Sequence, residues 1–170
     1  MTFRSTKTYG HEVGLSCCFR QWRATSHCRF LHGYALSVHV EFEARQLDAN
    51  NWVVDFGGLK DFKEALQLHF DHKLVVAADD PALPFLALLG VAETGISADR
   101  NEHIRPQLAQ VVVLENVGCE AFAAFVAEMA EEWLKVHYGA DPASRRVRVR
   151  HVEVREHGAN SASFYPAEVW

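Results

Sequence analysis

The sequence predicts an α+β domain in which two helices cover one face of a four-stranded antiparallel sheet, in the order β-β-α-α-β-β. Two observations support this prediction. Residues 36–42 and 146–156 alternate apolar and polar side chains, which is typical of half-buried strands. Residues 59–70 and 122–133 repeat apolar side chains every three or four positions, which is typical of amphipathic helices.

The first half of the chain supplies two strands and one helix. Residues 7–18 are interpreted as the first strand, paired antiparallel with 36–42, and a turn follows at 48–51. The first helix comes next. An excursion at about 81–110 is rich in prolines, glycines and mixed charge, and we expect loops there around a short apolar helix at 85–89.

The second half supplies the other helix and the last strand pair, predicted at 146–156 and 162–169. The parity of apolar residues changes at Arg150–His151, which predicts a β-bulge. The side chains that fall on opposite faces by parity are Val147 and Val149 on one and Val152 and Val154 on the other. We expect the other face of the sheet, which carries no helix, to be covered by ligand or by neighbouring subunits.

Length, amino-acid composition and net charge limit the possible classes of protein. The 170 residues, 49% apolar and 23% charged, suit a single domain spanning 1–170. A formal net charge of −5 argues against bulk nucleic-acid binding. We find neither a signal peptide nor an apolar run near the roughly 20 residues of a membrane span, so we expect a cytoplasmic protein without a membrane partner.

The segment around Cys28 is the densest in chemically active side chains. His27 and Arg29 flank the thiol, and Arg20 and Arg23 are close in sequence. Cations stabilise a thiolate and make a cysteine a usable base or nucleophile. The alternative is a solvated basic loop with a buried cysteine, which composition alone favours. A disulfide framework is not expected, because no Cys-x-x-Cys spacing occurs among Cys17, Cys18, Cys28 and Cys119.

Two further sets of polar residues are candidates for a site. Asp71 can orient and activate the neighbouring His72, although such dipeptides also occur by chance. Glu120 lies at a predicted helix start, where backbone N–H groups can bind a ring edge. Glu156 ends a strand, and a buried carboxylate suits the paired N–H donors of a pterin or guanine ring. The alternatives are stabilisation of the helix dipole by Glu120 and a surface charge at Glu156.

Five short motifs occur in a fixed order: CRFLHGY at 28–34, DFGGLK at 55–60, FDHKLV at 70–75, VGCE at 117–120 and VREH at 154–157. Together they resemble the 6-pyruvoyl-tetrahydropterin and 6-carboxytetrahydropterin synthases, which have the tunnelling fold and act on 7,8-dihydroneopterin triphosphate. The resemblance spans most of the chain.

The resemblance implies roles for individual residues. Cys28 is then the general base, and His72 with Asp71 assists proton transfer. Glu156, with the helix start at Cys119 and Glu120, anchors the ring. By charge alone, the candidates for binding the triphosphate are Arg20, Arg23, Arg29 and Lys73.

The zinc site implied by the resemblance is altered. The family holds zinc with three histidines, but Phe19 and Tyr34 stand at two of these positions and only His32 remains. Phenylalanine has no atom that can bind zinc. The tyrosine phenol, with a pKa of about 10, must lose its proton to bind the ion. We therefore expect that zinc is lost or, as the second choice, rebuilt with Cys17, Cys18 or His27.

The sequence thus predicts an enzyme of pterin or deazapurine (queuosine-type) biosynthesis, a carbon–oxygen lyase acting on 7,8-dihydroneopterin triphosphate or a close analogue. The alternative is a pterin- or purine-binding protein without the zinc-dependent activity. A structural subunit of a mixed oligomer is a third possibility. The resemblance also implies a homo-oligomer with active sites between subunits.

Overall fold

The structure, a computed structural model, describes residues 1–91, 93–95, 103–105, 107–141 and 145–167. The strands are β1 Phe3–Tyr9, β2 Leu15–Phe19, β3 His32–Ala44, β4 Lys73–Ala77, β5 Glu93–Gly95, β6 His103–Arg105, β7 Gln110–Leu114, β8 Val147–His157 and β9 Asn160–Phe164. The helices are α1 Lys60–Phe70, α2 Leu83–Ala87 and α3 Cys119–Tyr138. No helix in the described ranges is long and apolar enough to cross a membrane.

The main sheet has seven strands, in the order β7-β4-β2-β3-β8-β9 with β1 also paired to β3. Strands β2, β4 and β7 run parallel to one another, and the other pairs are antiparallel. The prediction of a four-stranded, purely antiparallel sheet is therefore wrong. Strands β4 and β7 are five-residue apolar runs, and such runs cannot be told from buried helical segments by periodicity.

The strand predicted at 7–18 is two strands, β1 and β2, separated by a 3-10 turn and by Gly14. Gly14 has a φ of 78°, a left-handed conformation that glycine adopts without strain. Because β3 is 13 residues long, its first half pairs with β2 and its second half with β1. The predicted antiparallel pairing with residues 36–42 is confirmed.

Helices α1 and α3 pack their apolar sides on the same face of the sheet and enclose the core. The fully buried side chains of this core include Phe62, Leu66 and Phe70 of α1, Phe122, Val126 and Leu134 of α3, and Leu36, Val38 and Val40 of β3. The positions at which the two helices were predicted agree with α1 and α3. Close packing of these side chains fixes where both helices begin, and α3 begins at the candidate site.

The predicted bulge in β8 is confirmed. Glu41 pairs with His151 and Phe42 pairs with Val149, so Arg150 is the extra residue. The extra residue shifts the alternation of side chains by one position. The valines before and after it are therefore all buried: Val147, Val149, Val152 and Val154. The bulge lets an 11-residue strand keep one apolar face against α3.

The excursion at about 81–110 contains α2, the antiparallel pair β5–β6 and the start of β7. The predicted apolar helix at 85–89 corresponds to α2 and the 3-10 turn that follows it. The last strand, β9, begins two residues before its predicted start at 162. The prediction that this strand continues to 169 is wrong at 165–167, because β9 ends at Phe164, and positions 168 and 169 lie outside the described residues.

Candidate functional site

A cavity of about 480 Å³ lies between the C-terminal end of β8, the start of β3, the N-terminus of α3 and the loop of residues 20–31. Residues singled out from the sequence contribute most of its lining: His27, Cys28, His32, Tyr34, Cys119, Glu120 and Glu156. Gln21, Ala159, Asn160 and Ser161 complete it. A more apolar cavity of about 470 Å³ beside Trp52 contains none of the predicted site residues. The chemistry of its lining therefore selects the first cavity as the candidate site.

Glu156 and Cys119 meet where β8 ends and α3 begins. The Cys119 thiol and Glu156 line the same part of the cavity, and the carboxylate and backbone of Glu156 both affect the pKa of the thiol. Burial, followed by the negative charges of Glu156 and Glu120, raises the pKa of Cys119 to about 12. The thiol is therefore neutral near pH 7 and is available as a hydrogen-bond donor to the carboxylate.

Gln21 contacts the start of α3 closely. Gly118, the residue before the helix, has a φ of 111°, and a Cβ atom there would lie 2.5 Å from Nε2 of Gln21. The backbone conformation favours glycine at this position, and any larger residue would make the flexible end of the Gln21 side chain move. Gln21 thus lies beside the outward-pointing N–H groups of the first helical turn. No motif in the sequence marks Gln21, and its role as a lining residue was missed.

Asn160 and Ser161 were also missed as lining residues. They begin β9, directly after the turn that follows β8, so the turn expected after Glu156 was the available signal.

Phe19, His32 and Tyr34, which the resemblance predicts at the positions of zinc ligands, form an aromatic cluster. The ring of Phe19, which is fully buried, lies 4.8 Å from that of His32 and 6.2 Å from that of Tyr34. Nδ1 of His32 lies 2.7 Å from the carbonyl oxygen of Phe30, which can only accept, so Nδ1 carries a proton. Burial and then the charges of Glu156, Cys28 and Cys119 raise the pKa of Tyr34.

The donor atoms of this cluster do not fit a three-histidine zinc site, because Phe19 offers none and Tyr34 offers a protonated phenol. Cys17, a candidate for a rebuilt site, lies in the apolar core, where burial raises its pKa to about 12. Within the described ranges, no three His, Cys, Asp or Glu side chains are arranged to hold a metal ion. Loss or rebuilding of the zinc site stays a prediction.

Cys28 reaches the cavity from a 3-10 helix, His27–Arg29, in the loop of residues 20–31. The Oγ atom of Ser26 caps this helix and accepts a hydrogen bond from the Cys28 N–H at 3.4 Å. The N–H of Gln21 donates to the carbonyl oxygen of Cys28 at 2.9 Å. Backbone contacts within the loop therefore hold a half-buried thiol at the edge of the cavity.

The four cations predicted from charge alone do not line this cavity. Two form ion pairs with acidic residues after β4: Arg20 with Asp80 and Arg23 with Asp79. The other two make separate contacts: the Arg29 guanidinium lies 5.1 Å from the ring centre of Phe30, and Lys73 donates to Gln110. Their predicted contact with a triphosphate stays a prediction.

Asp71 and His72 lie in the turn between α1 and β4. Nδ1 of His72 donates to Oδ1 of Asp71 at 2.6 Å, so the orientation expected from the sequence is present. The His72 side chain is 84% exposed, and its φ of 56° is uncommon for a residue other than glycine. Neither residue lines the cavity within one chain. Their predicted convergence with Cys28 concerns an assembled protein and stays a prediction.

The fold is that of solved proteins of the pterin-synthase class. An uncharacterized protein from Wolinella succinogenes superposes with a TM-score of 0.73 and 21% identity, covering 98% of this chain and 99% of that one. The 6-pyruvoyl tetrahydropterin synthase of Plasmodium falciparum superposes with a TM-score of 0.64 and 16% identity, covering 97% and 98%. At these identities the likeness shows the fold alone.

The family follows from the sequence match. The family described as 6-pyruvoyl tetrahydropterin synthase matches residues 10–167, and the chain belongs to this family. Its members are oligomeric lyases that act on pterins. The resemblance drawn from the five motifs is therefore confirmed.

Two curated relatives match a shorter segment. The 6-carboxy-5,6,7,8-tetrahydropterin synthases of Rickettsia conorii and Rickettsia felis are each 37% identical over 54 residues, which is 31% of this chain. The match spans only 39% of the length of each relative.

Proposed function

We propose that the protein is a 6-carboxytetrahydropterin synthase-like lyase that acts on 7,8-dihydroneopterin triphosphate or a close analogue, in pterin or deazapurine (queuosine-type) biosynthesis. The observation that carries the proposal is the cavity whose lining brings Cys28 together with Cys119 and Glu156. The family and the segment shared with the Rickettsia synthases support it.

The Glu156 side of the cavity suits the pterin ring. A carboxylate accepts two hydrogen bonds from the ring N–H and the exocyclic amino group, in the planar geometry that makes such pairs strong. The N–H groups at the start of α3 can donate to the acceptors on the same ring. A volume of about 480 Å³ is within the range of small-ligand sites. With the ring held by these contacts, the side chain of the substrate would lie near Cys28.

Proton transfer is assigned to Cys28 and His72. Cys28 removes a proton from the substrate's side-chain carbon, and Tyr34, whose phenol stays protonated, donates to a developing negative charge on a side-chain oxygen. His72 has its Nδ1 proton bonded to Asp71, which leaves Nε2 free to exchange protons. Because His72 does not line the cavity of its own chain, the proposal requires a homo-oligomer with sites between subunits.

The second candidate function is binding of a pterin or purine without the family's zinc-dependent chemistry. The aromatic contact between Phe19 and Tyr34, at the positions of two zinc ligands, favours it. The surviving Cys28 and the oriented His72 favour an enzyme, because a protein that only binds the ring needs neither.

Turnover of 7,8-dihydroneopterin triphosphate by the purified protein separates the two functions. We expect wild-type turnover, and a loss in kcat of about 10²- to 10⁴-fold in Cys28→Ala and in His72→Asn, since each removes a proton-transfer group. Cys18→Ala is the matched control, because Cys18 does not line the cavity. Mixing the two inactive variants should restore part of the activity if each site combines two copies.

Ring binding without turnover would instead establish the binding function. Elemental analysis of the same preparation tests zinc, with the double variant Phe19→His, Tyr34→His as the positive control. Stoichiometric zinc in the wild-type protein would contradict the expected loss.

A further inference from the structure

A forked ion pair outside the cavity holds the base of the loop that carries Cys28. Arg20 follows β2 directly, and Asp80 lies three residues after β4. Nε of Arg20 donates to Oδ2 of Asp80 at 2.8 Å, and Nη2 donates to Oδ1 at 2.8 Å. Two parallel hydrogen bonds between charged groups fix the orientation of the guanidinium as well as its position.

The pair is largely withdrawn from water. The Asp80 side chain is 1% exposed and that of Arg20 is 26% exposed. Oδ1 of Asp80 also accepts a hydrogen bond from the Ala82 N–H at 2.8 Å, which fixes the turn after β4. A buried carboxylate is tolerated only when its hydrogen bonds are satisfied, so Asp80 holds Arg20 strongly.

Arg20 and its neighbour connect this pair to the cysteine. Nη1 of Arg20 lies 3.4 Å from the carbonyl oxygen of Arg29, and the N–H of Gln21 donates to the carbonyl oxygen of Cys28 at 2.9 Å. Two successive carbonyl groups of the cysteine's 3-10 helix are therefore bound to Arg20, which Asp80 anchors, and to its neighbour Gln21. A series of contacts runs from the turn after β4 to the backbone of Cys28 and Arg29.

We infer that Arg20 and Asp80 are positioning residues for Cys28. This inference rests on the proposed function, in which Cys28 is the base. A displacement of a reacting group by about 1 Å can lower a rate by about 100-fold. The ion pair sets the distance between the thiol and the ring bound at Glu156, and Arg20 therefore acts on the rate of proton transfer.

The experiment compares Asp80→Asn with Glu64→Gln in the full chain. Both changes replace a carboxylate of an ion pair by an amide, but Glu64 contacts Lys60 at 3.8 Å on the exposed side of α1, where its side chain is 63% exposed. Three quantities are measured: kcat, the Kd of a dihydropterin lacking phosphate, and the rate at which iodoacetamide alkylates Cys28, followed by peptide mass.

For Asp80→Asn we expect kcat to fall at least about tenfold and Cys28 alkylation to rise at least about threefold, because the released loop exposes the thiol. The Kd should stay within about twofold of wild type, since Glu156 and Cys119 lie on β8 and α3 and not on the loop. Glu64→Gln should match wild type in all three. Arg20→Lys keeps the charge but cannot make the two parallel hydrogen bonds. Its kcat and alkylation rate should lie between those of wild type and Asp80→Asn.

A purely structural role predicts a different result, in which kcat and the number of binding sites fall together with the folded fraction while folded molecules keep the wild-type alkylation rate. That result, or an Asp80→Asn protein that matches Glu64→Gln, overturns the inference. If Asp80→Asn does not fold, Arg20→Lys decides by the same criteria. If the wild-type protein does not turn over the substrate, the proposed function fails, and the alkylation rates, which need no substrate, still decide the positioning role.

Discussion

The two sides of the cavity are built differently. One side, the anchor wall, consists of Tyr34 on β3, Cys119 on α3 and Glu156 on β8, all on regular elements that also carry buried core side chains. The other side is the cysteine loop, residues 20–31, which contains no regular element longer than a 3-10 turn. The anchor wall is held by packing, and the cysteine loop is held by a few polar contacts.

This difference implies that the anchor wall mainly affects ligand binding and that the cysteine loop mainly affects the reaction. Residues on packed strands and helices keep their positions when a distant contact is lost, whereas a loop depends on each of its polar contacts. We therefore expect changes in the anchor wall to affect ligand binding, and changes at the base of the cysteine loop to affect the rate.

The largest effect is expected at the anchor wall. Glu156→Gln keeps the shape of the side chain but presents an amide to the ring's N–H donors, and we expect dihydropterin binding to weaken about 100-fold, or about 2–3 kcal/mol. Calorimetric titration measures it. Glu132→Gln, whose side chain is 68% exposed on α3, is the control. Equal affinities for the two variants would remove Glu156 from the site.

A moderate effect is expected from pH, through Cys17 behind the anchor wall. Burial first, then the charges of Cys18, Cys119 and Glu156, raise the pKa of Cys17 to about 12. Its pKa in the unfolded chain is about 8.5. A group with a raised pKa in the folded state stabilises the protein fully below about pH 8.5, and this contribution is lost as the pH rises towards 12.

The Tm should therefore fall between pH 8.5 and 10.5, and should fall less steeply in Cys17→Ala. The slope of Tm against pH, measured by circular dichroism, is the quantity to compare. Ser16→Ala, on the exposed face of the same strand, should keep the wild-type slope. Identical slopes for Cys17→Ala and wild type would mean that Cys17 does not contribute.

The smallest effect is expected at the exposed ion pair of the cysteine loop, between Arg23 and Asp79. Their side chains are 60% and 44% exposed, so water and salt screen the interaction. Arg23→Met should change the Tm by no more than about 2 °C and the Cys28 alkylation rate by less than twofold. A loss as large as that of Asp80→Asn would show that both pairs position the loop.

Prediction from the sequence succeeded where a pattern is local. Helix α1 and the bulge at Arg150 follow from the spacing of apolar side chains, which reflects the geometry of helices and strands. The order of five motifs identified the family. Strands β4 and β7 were missed because a short apolar run carries no period, and their parallel pairing joins segments distant in the chain.

The candidate site shows the same limit. Cys28, Cys119 and Glu156 were found because each stands in a motif that resembles the family, and the structure brings them to one cavity. Gln21 was missed because its contact with Gly118 spans 97 residues and no motif contains it. The ion pair of Arg20 with Asp80 could not be predicted from charge alone, and the predicted contact of Arg20 with a triphosphate stays a prediction.

The sequence by itself determined the α+β class, the positions of the long helices and the residue types available to the candidate site. These depend on local periodicity and on side-chain chemistry. Only the tertiary structure decided which cations form ion pairs, which strands are parallel and which candidate residues share a cavity. Each of these depends on contacts between residues far apart in the chain, such as the 60-residue separation of Arg20 and Asp80. Such contacts form only when the whole domain has packed.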